Sequence, residues 1–465
     1  MSRNWTNPNL DCRKRIRSVR QDIMTSAGRT STGLVAPLPR TPAGLDSDAL
    51  ALDVEALRAH FPALAGGVAH FDGPGGSQVP DVVADAIRST LVAGVSNRGT
   101  QTAAERYADD VVIRARRAMA DLLGADPGGI VFGRSMTQLT FDFSRALAKT
   151  WQPADEIVVT RLDHDANIRP WLIAAESVGA VVRWAEFDAK SGELPVENIQ
   201  RLLTDRTRLV AVTGASNLIG TRPALAEIAR LVHAAGALFY VDGVHLTAHA
   251  PVDVAAIGAD FYACSPYKFL GPQCGVLAGR VELLEQLWID KLLPSTDLVP
   301  ERFELGTLPY ELLAGTTAAV DFLARVAGGS GGSFGSRDSA GSDGRPGVDR
   351  RSRLTAAMTL IEQHEDGLRR TIEQGLAALP GVVLHSRAHD RTPTLLFTFD
   401  DHEPAEAYQF LAERGINAPA GSFYALEAAQ FLGLGAAGGL RVGLAPYSNQ
   451  SDIDRLLFGL TEFLR

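Results

Sequence analysis

Between Phe71 and Tyr310 the chain repeats one plan: a short β-branched run, a polar turn, then a segment with helical period. GGIVFGRSMTQLTFDFSRAL, DEIVVTRLDHDANIRPW, TRLVAVTGASNLIGTRPALAEIARLVHAAG and ALFYVDGVHLTAHA are instances. In the third, Leu225, Ile228, Leu231 and Val232 share one helical face, with Pro223 near its start and Gly236 near its stop. This alternation predicts an α/β fold with a mainly parallel sheet covered by helices. A chain of 465 residues, 46% of them hydrophobic, is long enough for such a core and for a second domain.

Ligands of open α/β sheets bind beyond the carboxyl ends of the strands. The polar residues that end these runs are therefore candidates for one shared site. They are Ser135 and Thr137, Asp163 and His164, Ser216 and Asn217, Asp242 and His245, and Ser265 and Lys268. Each alone has a plain structural explanation, since turns and helix caps favour polar residues. Lys268, after the apolar run ADFYACSP, would by itself be a lysine whose stem lies along apolar surface with its head in water. Its chemical alternative is an amine with a lowered pKa, able to form a Schiff base with a carbonyl. Pyridoxal phosphate requires such a lysine and a carboxylate for its pyridine nitrogen, which Asp242 in LFYVDG supplies. Ser135 and Thr137 stand at a strand-to-helix turn, where free N–H groups favour a phosphate, and His164 is placed to lie on the ring.

With those residues in view, the chain resembles the cysteine-desulfurase-like branch of the class V aminotransferases, fold type I pyridoxal-phosphate enzymes. The resemblance runs from about Phe71 to the C-terminus through FDGPGGSQVP, NRG, DHDANIRPW, ASNLIGT, VDGVHLTAHAPVDV, ACSPYKFLGP, FELGT and LRVGLAPYSNQSDIDRL. It implies a large domain with a mainly parallel central sheet and a smaller α+β C-terminal domain. It makes Lys268 the Schiff-base lysine, Asp242 the partner of the pyridine nitrogen, His164 the ring-stacking histidine and Asn217 the contact of the phenolic oxygen. Thr137 and Ser265 match phosphate ligands, and Thr307 in FELGT matches a residue that reaches the phosphate of a neighbouring subunit, implying a homodimer with shared sites. Arg441 matches the arginine that forks onto a substrate α-carboxylate, which implies a small amino-acid substrate.

Departures from the family pattern bear on the reaction. His245 stands where typical desulfurases have glutamine, and Tyr267 where they have the histidine before the lysine, while His249 keeps its place. A desulfurase also needs a mobile thiolate that carries a persulfide. In GINAPAGSFYALEAAQFLG, Tyr424 occupies that cysteine's position and Pro419 that of a further arginine, and the segment has no cysteine. The three cysteines of the chain are Cys12, Cys264 and Cys274. The last two lie in apolar runs, where an inert buried thiol is expected. The expected function is thus a pyridoxal-phosphate enzyme on an α-amino acid that works without the usual cysteine. The alternatives are a sulfur- or selenium-releasing lyase with no catalytic cysteine, or a non-catalytic regulatory protein of the same fold.

The three cysteines contain no CxxC pattern, which disfavours a disulfide scaffold or zinc site and suits a reducing, cytoplasmic setting. A net charge of -9 gives nucleic acid and anionic membranes no general attraction, and no apolar run approaches a membrane span. Residues 1–45, which carry the eight basic residues Arg3, Arg13, Lys14, Arg15, Arg17, Arg20, Arg29 and Arg40, read as a disordered extension. Residues 66–312 read as the large cofactor-binding domain, and 46–65 with 313–465 as the small one. Within the latter, 328–350 reads as a flexible insertion, because 13 of the 20 residues from Gly328 to Gly347 are Gly or Ser.

Overall fold

The computed structural model describes residues 52–327 and 349–465. The expected extension at 1–45 and nearly all of the expected insertion at 328–350 lie outside the described residues. Asp349 and Arg350, at the end of that insertion, are described: the Asp349 side chain caps the helix that begins at Arg350.

In chain order the strands are β1 (Ala69–His70), β2 (Ile130–Gly133), β3 (Glu156–Thr160), β4 (Val181–Ala185), β5 (Thr207–Thr213), β6 (Leu238–Asp242) and β7 (Phe261–Cys264). They continue with β8 (Gly275–Gly279), β9 (Val382–Leu384), β10 (Thr394–Phe399), β11 (Ile416–Asn417), β12 (Ala420–Gly421) and β13 (Gly439–Gly443). Seven form the central sheet in the order β2-β8-β7-β6-β5-β3-β4. Only β8 runs against its neighbours, so the sheet is mainly parallel as the alternating pattern predicts. A four-stranded antiparallel sheet, β12-β13-β10-β9, is built from the C-terminal part.

Both faces of the central sheet are buried. Alternate residues of β6 supply both: Phe239 and Val241 pack into one apolar cluster, Tyr240 into another with Trp171, Phe143 and Phe261. Burying such a side chain contributes roughly 1.5–3 kcal/mol relative to leaving it exposed. A third cluster lies under the small sheet, from Leu395, Phe397, Val442 and Leu456. The helix Tyr310–Val326 runs through position 312, where the sequence reading placed a boundary, and packs against the helices Asp81–Val92 and Ala103–Leu123. Residues of the 46–65 segment reach the C-terminal part: Arg58 pairs with Asp452 at 2.9 Å, and Phe61 packs on Tyr447.

Candidate active site

The turns after β2, β5, β6 and β7 open onto one cavity of about 350 Å³. It is lined by Ser135, Thr137, His164, Asn217, Asp242, His245, Ser265, Lys268 and Arg441, nine of the twelve candidate site residues named from sequence. Thr307 is exposed on the loop before Tyr310 and does not line the cavity of its own chain. Asp163 and Ser216 also stay out. Ser216 is a buried cap for Leu218 and Ile219. Asp163 is fully buried and accepts from Asn167 at 2.6 Å and from Thr160. Burial pushes its carboxyl up to about 8, with the nearby Asp242 adding to the shift.

Lys268 ends a single 3-10 turn, Pro266–Lys268, that follows β7. Its Nζ donates to the Pro74 carbonyl and lies 4.9 Å from the Tyr267 ring centroid. Burial, reinforced by Arg441 and opposed by Asp242, brings the ammonium down to about 7, so a substantial share is free amine at neutral pH. Asp242 closes β6 with its carboxylate buried and accepting from the Val244 N–H at 3.0 Å. Burial lifts it to about 6, against the pull of that hydrogen bond and of Lys268. It is therefore mainly ionised at pH 7 and suited to a cationic ring nitrogen.

His164 Nδ1 accepts from the Ala166 N–H at 3.0 Å, which places the ring proton on Nε2. Burial, then the cations Lys268 and Arg441, hold its pKa down at about 4, so the ring is neutral. Its outer face stacks on Tyr424, with centroids 5.5 Å apart. Arg441 sits in β13, 3% exposed, and donates to the Asn217 carbonyl at 2.9 Å. Its guanidinium lies 3.6 Å from the Phe423 ring centroid. Burial lowers its pKa to about 9, with Asp72 opposing, so it remains a cation at neutral pH. The far end of the cavity is the start of the helix Met136–Ala148. There the Ser135 hydroxyl accepts from the Gln138 N–H, and Gly275 lets β8 approach so closely that a Cβ would stand 2.2 Å from the Ser135 carbonyl carbon.

Three buried polar atoms around the cavity lack a partner within the described residues: Asn217 Oδ1, His245 Nδ1 and Arg441 Nε. Together with a desolvated amine, a buried carboxylate and hydroxyls at a helix start, they fit pyridoxal phosphate. Lys268 suits its aldehyde carbon, Asp242 its ring nitrogen, and Ser135, Thr137 and Ser265 its phosphate.

Some lining residues escape sequence reasoning. Pro74 and Gly75 come from FDGPGG, a conspicuous motif whose carbonyl contact with Lys268 no local pattern announces. Phe423 and Tyr424 adopt left-handed φ values of 53° and 58°, a strained choice for two successive aromatic residues, and the sequence carries no signal for it. No cysteine lines the cavity among the described residues. Cys264 and Cys274 are 0% and 2% exposed. Burial pushes the Cys264 thiol far up and the Cys274 thiol up to about 11. His249 pairs with Glu365 at 2.9 Å in the interior, a structural contact.

Comparison with known proteins agrees with this geometry. The Aminotransferase class-V family model matches residues 69–328 and 354–456. An uncharacterized protein of Mycobacterium tuberculosis is 32% identical over 413 residues, 88% of this chain and 99% of its own length. A cysteine desulfurase of Dickeya dadantii is 32% identical over 429 residues, 88% of this chain and 96% of its own length. The crystal structure of the cysteine desulfurase CsdA from Escherichia coli superposes with a TM-score of 0.74 at 29% identity, over 89% of this chain and 99% of that one. With its mainly parallel central sheet, the architecture is fold type I. The chain belongs to the class-V aminotransferase family, in its cysteine-desulfurase-like branch, and is a pyridoxal-phosphate-dependent enzyme.

Proposed function

We propose that this enzyme acts at the Cα of a small α-amino acid without a cysteine relay. The observation that carries the reading is Tyr424, stacked on His164 at the cavity where the family resemblance calls for a thiol. Bound there, the cofactor supplies an electron sink for bonds broken at Cα. Arg441 takes the substrate carboxylate in its fork, held in plane by Phe423 and the Asn217 carbonyl. Lys268, largely a free amine above pH 7, takes and returns the Cα proton. Asp242 would keep positive charge on the cofactor's ring nitrogen, His164 would cover the ring, and Asn217 and His245 would address the ring oxygen. Ser135, Thr137 and Ser265 would hold the phosphate.

In this reading Thr307 serves the site of a second copy, and the working form is a homodimer in the cytoplasm. Among the described residues no helix is long and apolar enough to cross a membrane. Retention of Lys268, Asp242, His164, Asn217 and Arg441 in one cavity supports catalysis over a purely regulatory role.

The test loads the protein with pyridoxal phosphate and screens amino acids for a change in visible absorption and for released product. At least one amino acid is expected to perturb the band and turn over. A keto acid with amination of the cofactor marks transamination, pyruvate with ammonia marks β-elimination, and inversion at Cα marks epimerisation. A band that no amino acid perturbs contradicts the proposal.

A further inference from the structure

His245 borders the cavity, is 3% exposed, and leaves Nδ1 without a partner among the described residues. Its other nitrogen, Nε2, meets two hydroxyls from the C-terminal part of the chain: Thr392 Oγ1 at 3.0 Å and Thr394 Oγ1 at 2.9 Å. The hydroxyls differ in their other contacts. Thr392 Oγ1 also reaches the Gly220 carbonyl at 3.3 Å, an acceptor for its proton. Thr394 Oγ1 has no hydrogen-bond partner except Nε2 among the described residues.

That difference selects a tautomer. The groups facing the ring favour its neutral form: burial first, then His249 at 4.7 Å between centroids, Lys268 and Arg441. A neutral imidazole has one proton to place. On Nε2, it would leave the Thr394 hydroxyl proton with no acceptor and the Nδ1 lone pair with no donor. On Nδ1, the Thr394 hydroxyl donates to Nε2, the Thr392 hydroxyl donates to Gly220 and keeps only a lone-pair contact with Nε2, and the Nδ1–H is the one unmet donor. Buried polar groups without partners are costly, so the second arrangement is preferred.

We propose that Thr392 and Thr394 are positioning residues that hold His245 as the Nδ1–H tautomer, presenting a hydrogen-bond donor to an anionic oxygen of the bound cofactor. This rests on the reading that the cofactor ring lies beside His245. It ties the electronics of the cofactor to the start of β10, an element of the C-terminal antiparallel sheet rather than of the sheet that carries Lys268 and Asp242. Thr394 carries the larger share, because its proton has no alternative acceptor.

Long-range 15N NMR of the cofactor-free full-length protein, labelled at histidine and assigned with His245→Gln, reads the tautomer directly. The wild type and Thr394→Ser are expected to show Nδ1–H at His245. Thr394→Val, which leaves Nε2 to donate to Thr392, is expected to switch to Nε2–H. After loading with pyridoxal phosphate, Thr394→Val is expected to shift the visible absorption maximum, while Thr394→Ser restores the wild-type spectrum. Nε2–H in the wild type, or a tautomer unchanged by Thr394→Val in a protein that melts normally, overturns the proposal. Failure of the wild type to take up cofactor counts against the proposed function instead, and the NMR result still decides the tautomer.

Discussion

Lys268→Ala is expected to remove the visible absorption that the wild type gains from its lysine-bound cofactor and to lower turnover by about 10³-fold. The Nζ is the amine that the cavity desolvates, and the Pro74 carbonyl aims it. Among the described residues no other lysine lines the cavity. The fold is expected to survive, because the lost contacts are one hydrogen bond and one ring face at the cavity edge. The same chemistry sets a pH dependence for the wild type. The folded pKa lies at about 7, below the usual lysine value, so the reactive amine appears as pH rises through that point. Cofactor uptake by the cofactor-free protein is therefore expected to accelerate across that range and to level off above it, followed by stopped-flow absorbance. Uptake that slows with rising pH, or a lysine-type band that persists in Lys268→Ala, would contradict the assignment.

Arg441→Gln is expected to raise KM for the amino acid by roughly 10²-fold while leaving cofactor absorption in place. Removing one partner of a buried charge pair costs about 3 kcal/mol, and at 1.4 kcal/mol per decade that corresponds to the stated factor. The arginine is held on three sides before any substrate arrives: by Asn217 at 2.9 Å, by the Phe423 ring and by its own burial in β13. Arg441→Lys is expected to recover little, since an ammonium has no planar fork and would lose the face-on contact with Phe423. Steady-state kinetics checks both variants. An unchanged KM in Arg441→Gln would remove the arginine from substrate binding.

How much of this was legible in the sequence follows from where each determinant lies along the chain. The turns after β2, β5, β6 and β7 converge because parallel strands with helical crossovers place all their carboxyl ends on one edge, and that pattern is local in sequence. Ser135, Asn217, Asp242 and Lys268 were readable for that reason. Residues that arrive from the distant antiparallel sheet were not. Thr392 and Thr394 reach His245 across about 150 positions, and nothing in RTPTLLFTF announces a histidine partner. Arg441 was found through the family resemblance alone, whereas its ring support, Phe423, depends on a left-handed backbone that a non-glycine sequence does not signal. The boundary placed near 312 falls inside the helix Tyr310–Val326, whose buried face packs on helices much earlier in the chain, a long-range contact that no local pattern signals.

The proposed reaction without a thiol step would separate this enzyme from its desulfurase relatives. The direct test is turnover by a cofactor-loaded protein in which Cys12→Ala, Cys264→Ala and Cys274→Ala are combined, using the amino acid that perturbs the wild-type band most strongly. The two described cysteines are buried and do not line the cavity, so turnover close to the wild-type rate is the predicted result. Loss of turnover in a triple variant that keeps its melting temperature and its cofactor band would contradict it.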